Sequence, residues 1–150
     1  MKCLSIWDPW ATLIMLGAKR YETRSWRPPR DLLGERIAIH ASKNQEGLRL
    51  MATSPALASA VWTAFHAAEH NDADPFRPGC IIATAILAHS IPTHGASALE
   101  VSSTEKQFGD WTDGRFAWLL ADIHTGFAIP CRGRQGLFDV PTDLLPMLET

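Results

Sequence analysis

Cysteine is scarce in this chain and nowhere paired. Cys3, Cys80 and Cys131 lie far apart with no Cys-x-x-Cys spacing, so neither a disulfide framework nor a zinc knuckle is signalled, and a reducing, cytoplasmic compartment is expected. Long apolar runs are missing too: none approaches the roughly 18 to 20 residues needed to cross a bilayer. The opening stretch MKCLSIWDPWATLIMLG is broken by Asp8 and Pro9 and has no small-residue cleavage site after it, which argues against a signal peptide, and no membrane partner is expected. Positive charge is not in excess. The 14 Lys and Arg stand against 16 Asp and Glu, a formal net charge of -2, so any nucleic-acid site must be a local patch. Gly-x-Gly-x-x-Gly, the phosphate-binding loop, His-Glu-x-x-His and Gly-x-Ser-x-Gly are all absent, leaving loop-type nucleotide hydrolysis and zinc proteolysis unsupported. There is no internal repeat or low-complexity segment.

What is present fits one globular domain spanning residues 1–150. With 46% hydrophobic and 20% charged residues, the chain can bury a core without staples. Asp8 and Pro9 open a short helix, by side-chain capping and by a residue that needs no donor, and Gly17 stops it. Residues 19–26 alternate, with Glu22, Arg24 and Trp26 on one side and Tyr21, Thr23 and Ser25 on the other, which predicts a strand ended by Pro28 and Pro29. ERIAIHAS alternates again, Ile37, Ile39 and Ala41 inward and Arg36, His40 and Ser42 outward. Ser54 and Pro55 start the longest helix, SPALASAVWTAFHAAEH, with Leu57, Val61, Ala64, Phe65 and Ala68 on one face. GCIIATAILAHSI reads as a buried strand. GRFAWLLADIHTGFAIPCRG reads as two strands paired across a turn at His124–Gly126, QGLFDV as a last short strand and PTDLLPML as a helical turn or two. About six strands and two main helices predict a mainly β, α+β fold: a closed or nearly closed barrel with helices outside, or a half-open sheet covered by helices.

The charges are segregated along the chain. Lys19, Arg20, Arg24, Arg27, Arg30 and Arg36 face only Glu22, Asp31 and Glu35 in the same segment, and Arg132 and Arg134 form a second basic cluster. Lys19, Glu22 and Arg24 are pinned between a glycine-terminated helix and a tryptophan. Charges held near an apolar wall interact strongly and shift in pKa, as binding and catalytic sites require. His40, Ser42 and Lys43 form a second polar set at a strand end, His40 being either a general base or a structural hydrogen-bonding group. His66 and His70 are spaced for one helix face, pointing to solvent opposite the apolar stripe, but lack a third ligand for a metal. In FGDWTDGRFAW, Asp110, Trp111, Asp113 and Arg115 are placed to cap one barrel mouth, and an exposed tryptophan beside arginine suits base stacking.

The sequence resembles the ASCH family, the domain named for homology to an activating signal cointegrator. The resemblance rests on the pattern Gly-x-Lys-x-x-Glu-x-Arg, present as Gly17, Lys19, Glu22 and Arg24, together with LSIWDPWATLIMLG, IAIHASK, GCIIATAIL, FGDWTDGRFAWLL and IPCRGRQGLFDV in that order. It implies a PUA-like β-barrel with helices packed around it and a cleft at one side that takes RNA or a nucleoside. Some members are hydrolases, either ribonucleases or amidohydrolases acting on N4-acylated cytidines. In the amidohydrolase branch the lysine works with a threonine three residues on and a downstream glutamate; here Glu22 holds the threonine position, and Glu100 and Glu105 both stand as downstream acids.

Three functions follow from this reading: a single-stranded RNA binder, whose simplest cleavage chemistry, if it also cleaves, is 2'-hydroxyl attack; a nucleoside amidohydrolase in which Lys19 activates the nucleophile; and a non-catalytic RNA-recognition module. The expected catalytic groups are Lys19, Glu22, Arg24 and His40. The expected RNA contacts are Lys19, Arg24, Trp26, Arg27, Ser42, Lys43, Asp110, Trp111, Arg115, Arg132 and Arg134. No cofactor is called for, and whether a carboxylate pair holds a divalent ion stays open. As a surface-cleft lysine, Lys19 is expected to be replaceable by alanine with folding nearly intact.

Overall fold

The structure, a computed structural model, describes residues 1–149. In chain order its elements are β1 (Lys2–Ile6), α1 (Trp10–Met15), β2 (Tyr21–Arg24), β3 (Arg36–Ala41), α2 (Glu46–Thr53), α3 (Pro55–Ala67) and β4 (Cys80–Pro92), then α4 (Ala96–Leu99), α5 (Ser103–Gln107), β5 (Phe116–His124), β6 (Ile129–Pro130), β7 (Leu137–Asp139) and α6 (Leu145–Leu148). Six strands form one mixed sheet in the order β2-β5-β4-β3-β1-β7, and β6 pairs with β4. The sheet is a half-barrel in an α+β fold. It leaves β2 and β1 unpaired with each other, and the Arg24 side chain spans that gap, Nη2 donating to the Ser5 carbonyl at 2.9 Å. Among the described residues no helix is long and apolar enough to cross a membrane.

The alternation in β3 divides the core. Ile37, Ile39 and Ala41 join Leu4, Ile6, Ala11, Ile14, Ile82 and Trp118 inside the half-barrel. On the other face Ala38 and Cys3 pack under Ile129, Phe138, Val140 and Leu148 from the C-terminal segment. A third cluster, Leu13, Met51, Val61, Phe65 and Phe108, joins the helices to the floor of the cleft described below.

Several expectations are corrected. The opening residues contain a strand, β1, whose Cys3/Ser5 and Leu4/Ile6 alternation is too short to stand out ahead of Asp8-Pro9. Asp8 does support α1, but from one residue outside the cap, its Oδ1 accepting from Thr12 N at 3.0 Å and Thr12 Oγ1 at 2.7 Å. The expected hairpin across His124–Gly126 is not one, because β6 pairs with β4 rather than β5. His70 lies beyond the end of α3 and packs edge-on against Phe65, ring centroids 5.6 Å apart, rather than facing solvent on the helix. Helix α2 has no counterpart in the sequence reading, whereas α3 begins as read, with Ser54 Oγ accepting from Leu57 N at 3.3 Å.

Candidate nucleic-acid cleft and its charged floor

The gap between β1 and β2 opens into a cleft of about 1350 Å³. Its walls are the end of β1 and the turn after it, β2, the end of β3, the loop after α5 and the loop 130–136. Two carboxylates line it, and each is matched by an arginine: Glu22 Oε2 lies 3.1 Å from Arg24 Nη2, and Asp110 Oδ2 lies 3.6 Å from Arg115 Nε. Lys43, Arg132 and Arg134 also line it, are exposed, and have no acidic partner within 4 Å among the described residues. Because every lining acid is already paired, these three cations leave the cleft locally positive in a chain of net negative charge. Trp7, 41% exposed, and Trp26, 36% exposed, stand at its edge.

Lys19 does not reach this surface. It is 1% exposed, below the floor. Its ammonium donates to the Phe108 carbonyl and sits 3.9 Å from Glu22 Oε1. Burial pushes its pKa down, opposed by the nearby charges of Glu22 and Glu105. Glu105 is the second acid of this floor: Oε1 accepts from the Arg20 backbone N–H at 2.6 Å, while Oε2 is buried with no hydrogen-bond partner. Burial raises the Glu105 pKa, opposed by the Arg20 backbone N–H and by Lys19. Of the two acids left open by the sequence, Glu105 is therefore the one beside Lys19, while Glu100 is exposed. The expected surface-cleft placement of Lys19 is corrected, since the side chain is a buried cation near Glu22 and Glu105, and alanine there is expected to cost stability.

The second polar set is tied to β1. In the parallel pairing of β1 with β3, Ser5 stands opposite His40, so their side chains share a face. Ser5 Oγ is 3.0 Å from His40 Nδ1, and His40 Nε2 is 2.7 Å from the Cys131 carbonyl. A carbonyl only accepts, so Nε2 carries the proton, and in the neutral ring Nδ1 accepts from the Ser5 hydroxyl. Burial lowers the His40 pKa, against the Cys131 and Gly79 carbonyls, which raise it. Both ring nitrogens are thus engaged within the protein.

The family model for the ASCH domain matches residues 4–105. The chain belongs to the ASCH domain family. ASCH domains are PUA-like and generally bind RNA. The fold is shared with the solved ASCH structure from Zymomonas mobilis, 17% identical, TM-score 0.54, covering 97% of this chain and 90% of that one. Two mutants of that Zymomonas mobilis protein match in the same way: one is 18% identical with TM-score 0.55, covering 97% of this chain and 92% of that one, and the other 17% identical with TM-score 0.54, covering 97% and 94%. At such identities the likeness carries the fold alone. No curated protein matches the chain.

Within this ASCH domain the cleft gathers Glu22, Arg24, Trp26, His40, Ser42, Lys43, Asp110, Arg115, Arg132 and Arg134 along one surface, though they come from segments far apart in sequence. Lys19 lies beneath them. Arg27 and Trp111 are not in the lining: the Arg27 guanidinium covers the Phe116 ring at 4.6 Å, and Trp111 packs edge-on against Tyr21 with centroids 5.7 Å apart. Ser42 Oγ caps its own turn, accepting from Asn44 N at 3.0 Å. Sequence reasoning missed Ser5 and Trp7, which follow from β1, and Gly133, whose closeness to His40 no local pattern reveals.

Proposed function

We propose that the cleft binds single-stranded RNA. The observation that carries this reading is the coincidence, in one cleft of about 1350 Å³, of two exposed indoles and three exposed cations that have no acidic partner within 4 Å among the described residues. Lys43, Arg132 and Arg134 meet phosphates, and Trp7 and Trp26 stack bases, the combination that sequence-tolerant single-strand binding uses. Membership of a generally RNA-binding family supports it.

A second reading, cleavage of the bound strand, is favoured by the Glu22–Arg24 pair at 3.1 Å. In that reading Glu22 takes the 2'-hydroxyl proton, the 2'-oxygen attacks the adjacent phosphorus, Arg24 meets the charge on the phosphoryl oxygens, and the departing 5'-oxygen takes a proton from water. Lys19 acts from below as a positioning group, its ammonium 3.9 Å from Glu22 Oε1.

The test is one set of titrations of a labelled single-stranded RNA against the parent and the Lys43→Ala/Arg132→Ala/Arg134→Ala variant over a range of salt. Each lost phosphate contact removes about 0.7 from the slope of log affinity against log salt, so the triple variant loses about 2. An unchanged slope rejects the cleft as the RNA site. Resolving the products by mass in the presence of N4-acetylcytidine separates the outcomes: intact RNA for a binding module, shortened RNA for a ribonuclease, released cytidine for an amidohydrolase.

A further inference from the structure

We propose that Ser5 and His40 form a nucleophilic dyad that hydrolyses carboxylic esters, with Arg24 stabilising the oxyanion. The proposal stands apart from RNA binding and uses none of the three exposed cations.

Three observations carry it. The first is hydrogen-bond direction: the Cys131 carbonyl holds the proton on Nε2, so Nδ1 is the free base and points at the Ser5 hydroxyl 3.0 Å away. This is the nucleophile–base–orienter arrangement with a backbone carbonyl as the third member. The second is placement. Ser5 and His40 both line the cleft, and Ser5 is only partly buried. The Arg24 guanidinium donates to the carbonyl of Ser5 itself, which puts a fixed cation beside the residue where an oxyanion would form. The third is steric. A Cβ on Gly133 would stand 2.6 Å from His40 Cε1, 2.9 Å from Nδ1 and 3.3 Å from Ser5 Oγ, so the loop lies against the dyad and only glycine fits there. A register shift between β3 and β4 falls at Ile39/His40, the kind of bulge that re-aims a strand side chain.

The chemistry balances with water as the only co-reactant. Ser5 Oγ bonds to the ester carbonyl carbon as its proton passes to Nδ1, and the carbonyl electron pair moves onto oxygen beside Arg24. Collapse of this intermediate breaks the bond to the alcohol oxygen, which leaves with the proton from His40. Water then attacks the acyl-serine, its proton passing through His40 to Ser5 Oγ as the acid departs. A carbonyl behind the imidazole stabilises the imidazolium less than a carboxylate does, which suits the better leaving group of an ester over an amide.

The test is labelling of the full chain with an alkyl fluorophosphonate, a probe that carries no nucleotide, followed by intact mass and peptide mapping. One adduct on Ser5 is expected, formed much faster in folded protein than in urea. The adduct should be absent in Ser5→Ala, and formed on the order of 100-fold more slowly in His40→Gln and in Gly133→Ala, since a positioned base supplies that much or more. Labelling at other serines, equal rates in folded and unfolded chain, or an undiminished rate in His40→Gln overturns the dyad. The folded-versus-urea comparison needs only the parent protein, so misfolding of a variant leaves the test standing, and its failure leaves the RNA reading untouched.

Discussion

Replacing Lys19 probes the floor of the cleft most sharply. Lys19→Ala removes three methylene groups from a site that is 1% exposed, worth roughly 2.4 kcal/mol at about 0.8 kcal/mol each. It also removes a charged hydrogen bond to the Phe108 carbonyl, worth about 1.5–3 kcal/mol. The sum, roughly 4–5 kcal/mol, falls in the range of about 3–5 kcal/mol for breaking a buried ion pair from one side. That is a large part of a typical domain stability of roughly 5–15 kcal/mol. Lys19→Met keeps the apolar stem and should cost only about 2–3 kcal/mol, from the hydrogen bond and from leaving Glu105 without its cation.

The pH dependence follows from sign. Burial raises the Glu105 pKa in the folded protein, and Lys19 opposes that rise. Without the lysine the folded pKa rises further above its unfolded value, so the charged carboxylate costs stability above that pKa and the cost is relieved as pH falls through it. The penalty of Lys19→Met relative to the parent should therefore be smaller near pH 5 than near pH 8. Urea unfolding of both proteins across pH measures this, and taking the difference cancels the carboxylates remote from Lys19. A penalty below about 0.5 kcal/mol at neutral pH, the range of a surface substitution, would refute the buried-cation account.

Gly47→Ala should destabilise by at least about 1–3 kcal/mol, the usual cost of overpacking, because the new Cβ would stand 2.1 Å from the Asp8 carbonyl and 2.6 Å from the Trp10 ring; a thermal melt matching the parent contradicts that packing. Trp7→Ala, at a 41% exposed position, should leave unfolding nearly unchanged yet weaken single-stranded RNA binding by about 1–3 kcal/mol if the indole stacks a base, read from the same salt titrations. Burial holds the His40 pKa below its ordinary 6.5, so between those two values the unfolded chain binds the proton and the folded one does not. Stability should fall as pH drops through that window, by up to about 1.4 kcal/mol per pH unit from this group, and His40→Gln should lack that share of the slope; equal slopes in the two proteins remove the argument.

The sequence by itself determined the family, the α+β character and most of the elements, because each rests on local chemistry. Ser54-Pro55 starts α3, alternation marks β2 and β3, and Gly17 ends the first helix, whatever the rest of the chain does. It also marked out Glu22, Arg24, Lys43, Arg132 and Arg134, since unusual charge density is visible in one dimension. Depth was not visible. Alternation puts Glu22 and Arg24 on one side of a strand, but only the packing of Phe108 and Gly109 over β2 decides that Lys19 is a buried cation. Partnership was not visible either. Ser5 and His40 lie 35 residues apart, and only the parallel register of β1 with β3 makes them neighbours, just as the pairing of β6 with β4 brings Cys131 and Gly133 against the same imidazole. Burial and hydrogen-bond direction depend on long-range packing, and it is these that turn a charged stretch of sequence into a positive cleft over a buried ion-pair floor.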